Sequence, residues 1–487
     1  MGDKAVPTTS PTPSMSKYNR DTKTVDDESE QRLETVYSED TLDGRYLAKA
    51  QILNEAIQSI GMGKYQWGLF IVTGFGWFAD NLWPIVTGLI LPPTVNEFNF
   101  KPPYLKLGQN IGLLVGAAFW GVGADIWGRK ISFNITMLII AIFALSAGGS
   151  PNFPALTSFA ALWSVGVGGN LPVDSAIFLE FVPASHQYLL TVLSIWWAFG
   201  QLIGSLVAWP LIANFSCATT VAGVDCPKSS NMGWRYFLIT MGGLMFVFWG
   251  LRFFVFKLYE SPKFLMGKGR DADAVDEGEP LLKQAIRRQL TKFDSNHVKS
   301  LFASRKLAYS TTLLIILWGM LSQSFIVWST MLTSLATRGA DFGDGSVYIT
   351  YRNQAILSVI GVPGALLAGY MVELPVLGRR GTLSISTILT GVFILVSTTA
   401  RTSNALLGWN CAYSFTSNVM YGVLYALTPE LFPTKDRGTG NALTATANRI
   451  FGIMVTSVPI FIAGAIFLVA GIIALLLPFE SRGRASL

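Results

Sequence analysis

The chain has 487 residues, of which 51% are hydrophobic and 14% charged, with a mean hydropathy of +0.44 and a formal net charge of +6. Soluble globular domains carry about 25% charged residues, so charge this sparse cannot coat a water-soluble fold of this length. Composition excludes a disordered scaffold, a collagen-like rod and a disulfide-rich secreted module, and its basic residues are not gathered into a nucleic-acid patch.

Residues 1–66 read as a polar cytoplasmic tail without the apolar core of a signal peptide. The run Asp26-Asp27-Glu28-Ser29-Glu30 is a solvated charge cluster, and Tyr46–Ile60 reads as an amphipathic lead-in helix. From Trp67 the chain becomes a succession of apolar runs, each near the ~20 residues that cross a hydrocarbon core about 30 Å thick. Twelve are expected: Trp67–Leu91, Leu107–Ala124, Ile131–Gly149, Ala155–Val182, Tyr188–Ala213, Tyr236–Phe256, Leu307–Leu335, Val347–Val372, Thr382–Ala400, Ala405–Thr428, Thr439–Val458 and Ile460–Phe479. The fold class is an all-α membrane protein, with twelve transmembrane helices in two six-helix repeats around a central cavity.

Alternate loops carry the basic residues: Arg129-Lys130, the stretch 257–306, Arg379-Arg380, Lys435 with Arg437, and Arg482 with Arg484. The opposing loops hold few, such as Lys101, Lys106, Lys228 and Arg401. This asymmetry places both termini in the cytoplasm. The expected organisation is a tail (1–66), a first half (67–256), a cytoplasmic linker (257–306), a second half (307–479) and a short tail (480–487).

The halves repeat. Gly121 through Asp125, Gly128, Arg129 and Lys130 reappear as Gly369, Glu373, Gly378, Arg379 and Arg380. Glu180-Phe-Val-Pro183 reappears as Glu430-Leu-Phe-Pro433, and Phe199-Gly200 as Phe451-Gly452. Gly121 to Gly369, Glu180 to Glu430 and Gly200 to Gly452 are 248, 250 and 252 residues apart. Two parallel repeats place a central site at their interface near the midplane.

These motifs, with Glu260-Ser261-Pro262-Lys263-Phe264-Leu265 and Pro429-Glu430-Leu431-Phe432-Pro433-Thr434, resemble the major facilitator superfamily and most closely its sugar-and-metabolite branch. Asp80 and the run Gly169-Asn170-Leu171-Pro172-Val173-Asp174 resemble the subgroup of synaptic-vesicle-glycoprotein-type and metabolite:proton symporters, with a fungal look to the tail and loops. The resemblance covers Trp67 to the C-terminus. It implies that Asp125–Lys130 is a latch on the outward-facing state; a positive-inside anchor is the plainer reading. Two departures stand out. Glu373 stands where the first copy has Asp, and the arginine of helix 4 is absent, with Trp163 near its place. Helices 11 and 12 meet at Pro459 with almost no connector.

Asp80 falls thirteen residues into the first run, where an ionised carboxylate is costly unless paired or protonated. It is a candidate proton carrier or a structural hydrogen-bond acceptor, with Trp77, Phe78, Asn81 and Trp83 beside it. Asp174 follows a glycine-rich turn of helix 4 in which Pro172 loosens a carbonyl; no strand precedes it, so this is no nucleotide loop. Arg449 retains its proton in practice and so needs an anion. That anion is Asp80 or Asp174, or a carboxylate of the substrate. Gln201, Asn410, Asn418, Tyr421 and Tyr425 are candidate hydrogen-bonding partners for a solute, each with a plainer reading as packing. Glu180, Glu430 and Arg437 read as structural gating residues at cytoplasmic helix ends.

Cys217 and Cys226 share an outer loop and a bridge there is open; Cys411 reads as a buried small residue. The sequon at Asn214 hugs the membrane and is expected to stay unused. His186 and His297 fall in cytoplasmic loops, away from any relay. No cofactor, resident metal or enzymatic constellation is expected. The partners are a small-molecule substrate, protons and the lipid bilayer, and the chain is expected to be a monomer in the plasma membrane. The function implied is a proton-coupled secondary transporter of a metabolite, organic acid or sugar-like solute. The alternative is an exporter of a drug or secondary metabolite.

Overall fold

In the computed structural model, described for residues 53–101, 103–217, 226–261, 296–321, 347–432, 437–454 and 460–478, the apolar runs are helices. Contacts divide the chain into Met1–Gly44, which lies outside the described residues, and Arg45–Leu487, which holds everything that follows. The linker from 262 to 295, Pro433, Lys435, Pro459, Glu480, Arg482 and Arg484 also lie outside the described residues, as do the side chains of Asp125 and His297.

Among the described residues there are twelve helices of 16 residues or more and no strand. They are α1 (Lys64–Phe98), α2 (Pro103–Trp127), α3 (Arg129–Ala147), α4 (Phe153–Phe181), α5 (Ser194–Phe215), α6 (Gly233–Gly250), α7 (Arg305–Leu321), α8 (Val347–Met371), α9 (Gly378–Ser397), α10 (Ser403–Glu430), α11 (Arg437–Met454) and α12 (Ile460–Leu475). A short helix, Leu189–Val192, leads into α5, and a π-helical turn, Leu251–Val255, continues α6. Seven of the twelve, α1, α2, α3, α5, α6, α8 and α9, are long and apolar enough to cross a bilayer. The polar residues of α10 and α11, among them Ser414, Thr416, Asn418, Asn441, Thr444 and Arg449, dilute their hydropathy because these helices turn polar faces inward. Large apolar side chains such as Phe119, Ile142, Leu206, Phe246, Leu366 and Ile472 stand exposed on the outside, where only lipid would cover them. The architecture is that of an all-α, multi-pass membrane protein.

Most helices begin or end within a few residues of the apolar run that announces them. The largest departure is α1, which runs to Phe98, well past Leu91, and takes up Pro84, Pro92 and Pro93 on the way. The helix starts are set by local chemistry. The Asn152 side chain accepts from the Ala155 N–H at 3.0 Å to cap α4. Thr402 does the same from Ala405 at 3.2 Å to cap α10, 250 positions later. Gly128 and Gly378, also 250 apart, open α3 and α9 with φ of +106° and +55°, a backbone region that side chains disfavour.

Helices α2 and α3 pack on α4, and α3 on α6; α9 packs on α10 and α12, and α8 on α10. The first six and last six helices meet along two seams, α2 against α11 and α5 against α8. The backbone comes close there. A Cβ at Gly121 would lie 2.3 Å from that of Ala442, and one at Gly369 would lie 2.6 Å from Val192. At the other end of the bundle Tyr351 donates its hydroxyl to the Leu89 carbonyl, and midway Ser205 and Ser358 share a hydrogen bond of 3.0 Å.

Beyond these seams, the left-handed opening of α3 is a local requirement that can be tested alone. Gly128 has ψ of 152° with its φ of +106°, a conformation close to glycine-only. Gly128→Val should cost about 1–3 kcal/mol, read as a lower thermal unfolding midpoint of the detergent-solubilised protein. A neutral effect would mean that the turn relaxes without strain.

Candidate functional site

Burial inside an apolar bundle makes any unpaired charge expensive, so the ionic side chains and their partners mark where the fold is under constraint. They form four groups.

The first lies at the end of the bundle that carries the Gly128 and Gly378 turns. Arg129 is buried and ion-paired with Glu180 of α4. Arg379 makes the matching pair 250 residues on: its Nε donates to Glu430 Oε2 at 2.8 Å and its Nη2 to Oε1 at 3.3 Å, with Glu373 3.5 Å from Nη1. Glu260 caps α3, accepting from the N–H groups of Arg129 at 3.1 Å and Lys130 at 3.4 Å. An anion suits a helix N-terminus. Burial nevertheless pushes the Glu260 carboxyl above its usual range, and those N–H groups and the Arg129 charge pull it only part of the way back. Its stabilising contribution is therefore present at low pH and is lost as pH rises through that raised value. Arg380 donates to the Leu475 carbonyl at the end of α12, and Arg437 donates to the carbonyl of Pro429 at 2.9 Å, tying the start of α11 to the end of α10.

At the opposite end, Arg235 holds Glu97 through two hydrogen bonds of 2.8 and 2.6 Å, joined by Asn231 and Trp234. Its Nη2 also reaches the Ser150 carbonyl at 3.2 Å. This cluster ties the end of α1 to the start of α6 and the turn between α3 and α4. In the neighbouring loop Cys217 and Cys226 are bridged, which answers the open question about that pair. Asn214 turns its side-chain amide back to the Pro210 carbonyl of its own helix, at 2.9 Å.

The third group is buried between α1, α3, α4 and α6. Arg252, in the π-helical turn, donates to Asp174 Oδ2 at 2.6 Å, to the Val72 carbonyl at 2.9 Å and to the Phe133 carbonyl at 3.1 Å. Both side chains are fully out of solvent. Gly76 of α1 makes the room: a Cβ there would sit 1.6 Å from Asp174 Oδ2. Asp174 is thus paired with an arginine of its own half rather than with Arg449.

The fourth group spans the two halves. Asp80 sits on the seventeenth residue of the 35-residue α1, and Trp197 of α5 donates to its Oδ2 at 3.2 Å. Arg449 of α11 approaches Oδ1, with Nη2 3.8 Å away. That contact is looser than the 2.6 Å of Arg252 on Asp174. Asp80 Oδ1 and Arg449 Nε are both buried with no hydrogen-bond partner among the described residues. Aromatic rings surround the pair. Trp77, Trp197 and Trp318 approach the ring of Tyr425 at centroid distances of 5.9, 5.3 and 4.5 Å, and Tyr421 lies 5.4 Å from Trp197. Asn81 fixes the Trp197 carbonyl at 2.9 Å, and Tyr421 donates to the Leu321 carbonyl at 2.7 Å. A small void of about 10 Å³, room for roughly one water, lies beside Trp318 and Tyr425, towards Pro172, Thr428 and Asn441.

Of the residues expected to meet a solute, the structure brings Asp80, Arg449, Tyr421 and Tyr425 together. Asn418 is elsewhere: its amide donates to the Ser414 carbonyl at 2.8 Å and packs against Gly361 of α8. Gln201 is half-buried in α5, one turn beyond Trp197. Sequence reasoning missed Arg252, although an arginine at the end of the apolar run Tyr236–Phe256 is itself a signal that an acid lies opposite. It also missed the donor role of Trp197.

Breaking a buried pair by deleting one partner costs about 3–5 kcal/mol. Arg252→Gln should therefore lower the unfolding midpoint sharply, and Arg252→Gln with Asp174→Asn should recover part of the loss. Strict additivity of the two changes in a double-variant cycle would show that the charges do not stabilise one another.

The family model described as "Sugar (and other) transporter" matches residues 109–477. The MFS siderochrome iron transporter 1 of Ceriporiopsis subvermispora (strain B) is 54% identical, over 93% of this chain and 94% of its own. The Major facilitator-type transporter hxnZ of Emericella nidulans is 37% identical, over 93% and 91%. Among solved structures, the proton:xylose symporter XylE bound to 6-bromo-6-deoxy-D-glucose superposes with a TM-score of 0.68 at 17% identity, covering 87% of this chain and 98% of that one. The chain belongs to the sugar (and other) transporter family of the major facilitator superfamily.

Proposed function

We propose that the protein is a proton-coupled secondary transporter of a small organic solute, working by alternating access. The observation that carries this reading is the Asp80–Arg449 pair, a titratable group and a fixed cation in the middle of long membrane helices, on opposite sides of the seam between the two halves. A pair so placed is made or broken when the halves rock, which ties its protonation to the conformational state. The name of the solved neighbour, a proton:xylose symporter, supports the coupling ion but not the solute.

In this reading all twelve helices span the membrane as two six-helix halves, 67–256 and 307–479, around a central cavity. The linker 257–306 and both termini lie in the cytoplasm, and the chain works as a monomer in the plasma membrane. Gly121, Asp125, Gly128, Arg129 and Lys130 latch the cytoplasmic end with Glu180. Glu373, Arg379, Arg380, Glu430 and Arg437 form the second latch. The close approach of Gly121 to Ala442 is what opening of that end must undo. One proton moving down a gradient of one pH unit yields about 1.4 kcal/mol, enough for a tenfold concentration of solute.

The test is flux in proteoliposomes. Asp80→Asn should abolish accumulation driven by a pH gradient while leaving solute exchange at equilibrium intact, and reversing the gradient reads the direction of transport. An Asn variant that still concentrates solute against a gradient would make Asp80 structural. The orientation has its own check. Cysteines placed in 257–306 should stay unlabelled by an impermeant thiol reagent in intact cells, and fast labelling would invert the topology.

A further inference from the structure

We infer that the solute is a small organic anion with a flat, apolar body, and that its carboxylate takes Arg449 from Asp80, so that one proton enters with each anion. This rests on the transport reading above and says what that site selects.

The first support is the contrast among the buried arginines. Arg252 spends its guanidinium on one carboxylate and two backbone carbonyls, at 2.6, 2.9 and 3.1 Å. Arg235 is equally committed to Glu97 and Ser150. Arg449 reaches Asp80 Oδ1 only loosely, at 3.8 Å, and is otherwise met by the neutral Tyr425; its Nε is buried with no hydrogen-bond partner among the described residues, and 11% of its side chain is still open. A guanidinium presents a planar fork that fits a carboxylate with two parallel hydrogen bonds, a demand that Asp80 does not meet here. A cation held in reserve in this way is a binding group for an incoming anion.

The second support is the charge around the pair. Lys106 of α2 lies within electrostatic reach of Arg449 and donates to the Pro84 carbonyl at 3.4 Å. Asp174 on α4 feels Asp80, but its own charge is met by Arg252 from α6. From α10, Tyr421 and Tyr425 face the pair, and α5 contributes the neutral Trp197. The centre thus sets the one carboxylate of Asp80 against the guanidinium of Arg449, with Lys106 within electrostatic reach, a setting that favours an anion over a cationic solute. The third support is the wall. Trp77, Trp197, Trp318, Tyr421 and Tyr425 supply flat apolar surface, and three of their donors are already committed, Trp197 to Asp80, Trp318 to Thr428 and Tyr421 to the Leu321 carbonyl, unlike the open polar lining that a sugar needs.

The exchange balances. Before binding, Asp80 carries −1 and Arg449 +1. When the anion occupies the guanidinium, Asp80 loses its counter-charge and takes one proton on Oδ1, the oxygen without a hydrogen-bond donor. Oδ2 continues to accept from Trp197. The site is neutral in both states, and the loaded carrier crosses without net charge.

Calorimetry on the full-length protein in detergent tests this without any flux. The probes are benzoate, nicotinate and aliphatic monocarboxylates, each against its neutral amide, in buffers of different ionisation enthalpy at pH 6–7. The expected result is that at least one aromatic acid binds, that its amide binds tenfold or more weaker, and that uptake of close to one proton accompanies the acid. Asp80→Asn should bind the same acid with no proton uptake. Arg449→Gln should lose tenfold or more for the acid and nothing for the amide, and Arg449→Lys should recover part of that loss. Equal binding of acids and amides, no binding of any acid, or binding of the acid to the wild type without proton uptake would overturn the inference. Because binding and flux are read separately, flux of a neutral solute driven by a pH gradient would sink this inference and leave the transport reading standing. Proton-linked anion binding without flux would do the reverse.

Discussion

Charge cannot be left unmatched inside an apolar bundle, and this chain puts Arg129, Arg235, Arg252, Arg379 and Arg437 almost wholly out of solvent. Each one is anchored to a carboxylate or to the carbonyls at a helix end, and together they pin the helices where propensity alone would let them slide. In lipid the hydrophobic effect does little to press helix on helix. Matched ions and close glycine contacts carry that task here. Against this background Arg449 stands apart, because it reaches its acid across the seam between two sets of helices and grips it loosely.

Two matching Arg–Glu pairs show how a repeat is used. Arg129 with Glu180 and Arg379 with Glu430 keep one spacing of 250 residues, as do the glycine turns that introduce them and the Asn152 and Thr402 caps. The central site breaks that symmetry. Position 449 is an arginine in α11, while its counterpart in α5 is Trp197, and both address the same carboxylate. The repeat builds the frame, and divergence within it builds the chemistry.

Much of this was legible in the sequence because membrane spans are read from length and hydropathy, which need no partner. The helices, the repeat and the depth of Asp80 followed from periodicity and spacing alone. Pairings did not. Asp80 and Asp174 are both acids in apolar runs, and nothing local distinguishes the one that meets Arg449 from the one that meets Arg252. That choice is made by Gly76, whose missing side chain opens a slot for Asp174 from a neighbouring helix. Asn418 shows a similar limit: a polar residue mid-helix can bond its own backbone, and here its amide does. The relation of Arg129 to Glu180 was hidden although both motifs were in view, because it depends on how α3 and α4 cross.

Pro84 stands four residues after Asp80 in α1. Proline has no N–H, so the rung that would tie residue 84 back to the Asp80 carbonyl cannot exist. The helix therefore loses a rung at the residue that pairs with Arg449 across the seam. The stretch from Pro84 to Phe98 is joined to the rest by a ladder with a gap. That gap is a built-in joint, at which the Pro84–Phe98 stretch can tilt while Arg252 keeps the earlier part of α1 fixed through the Val72 carbonyl.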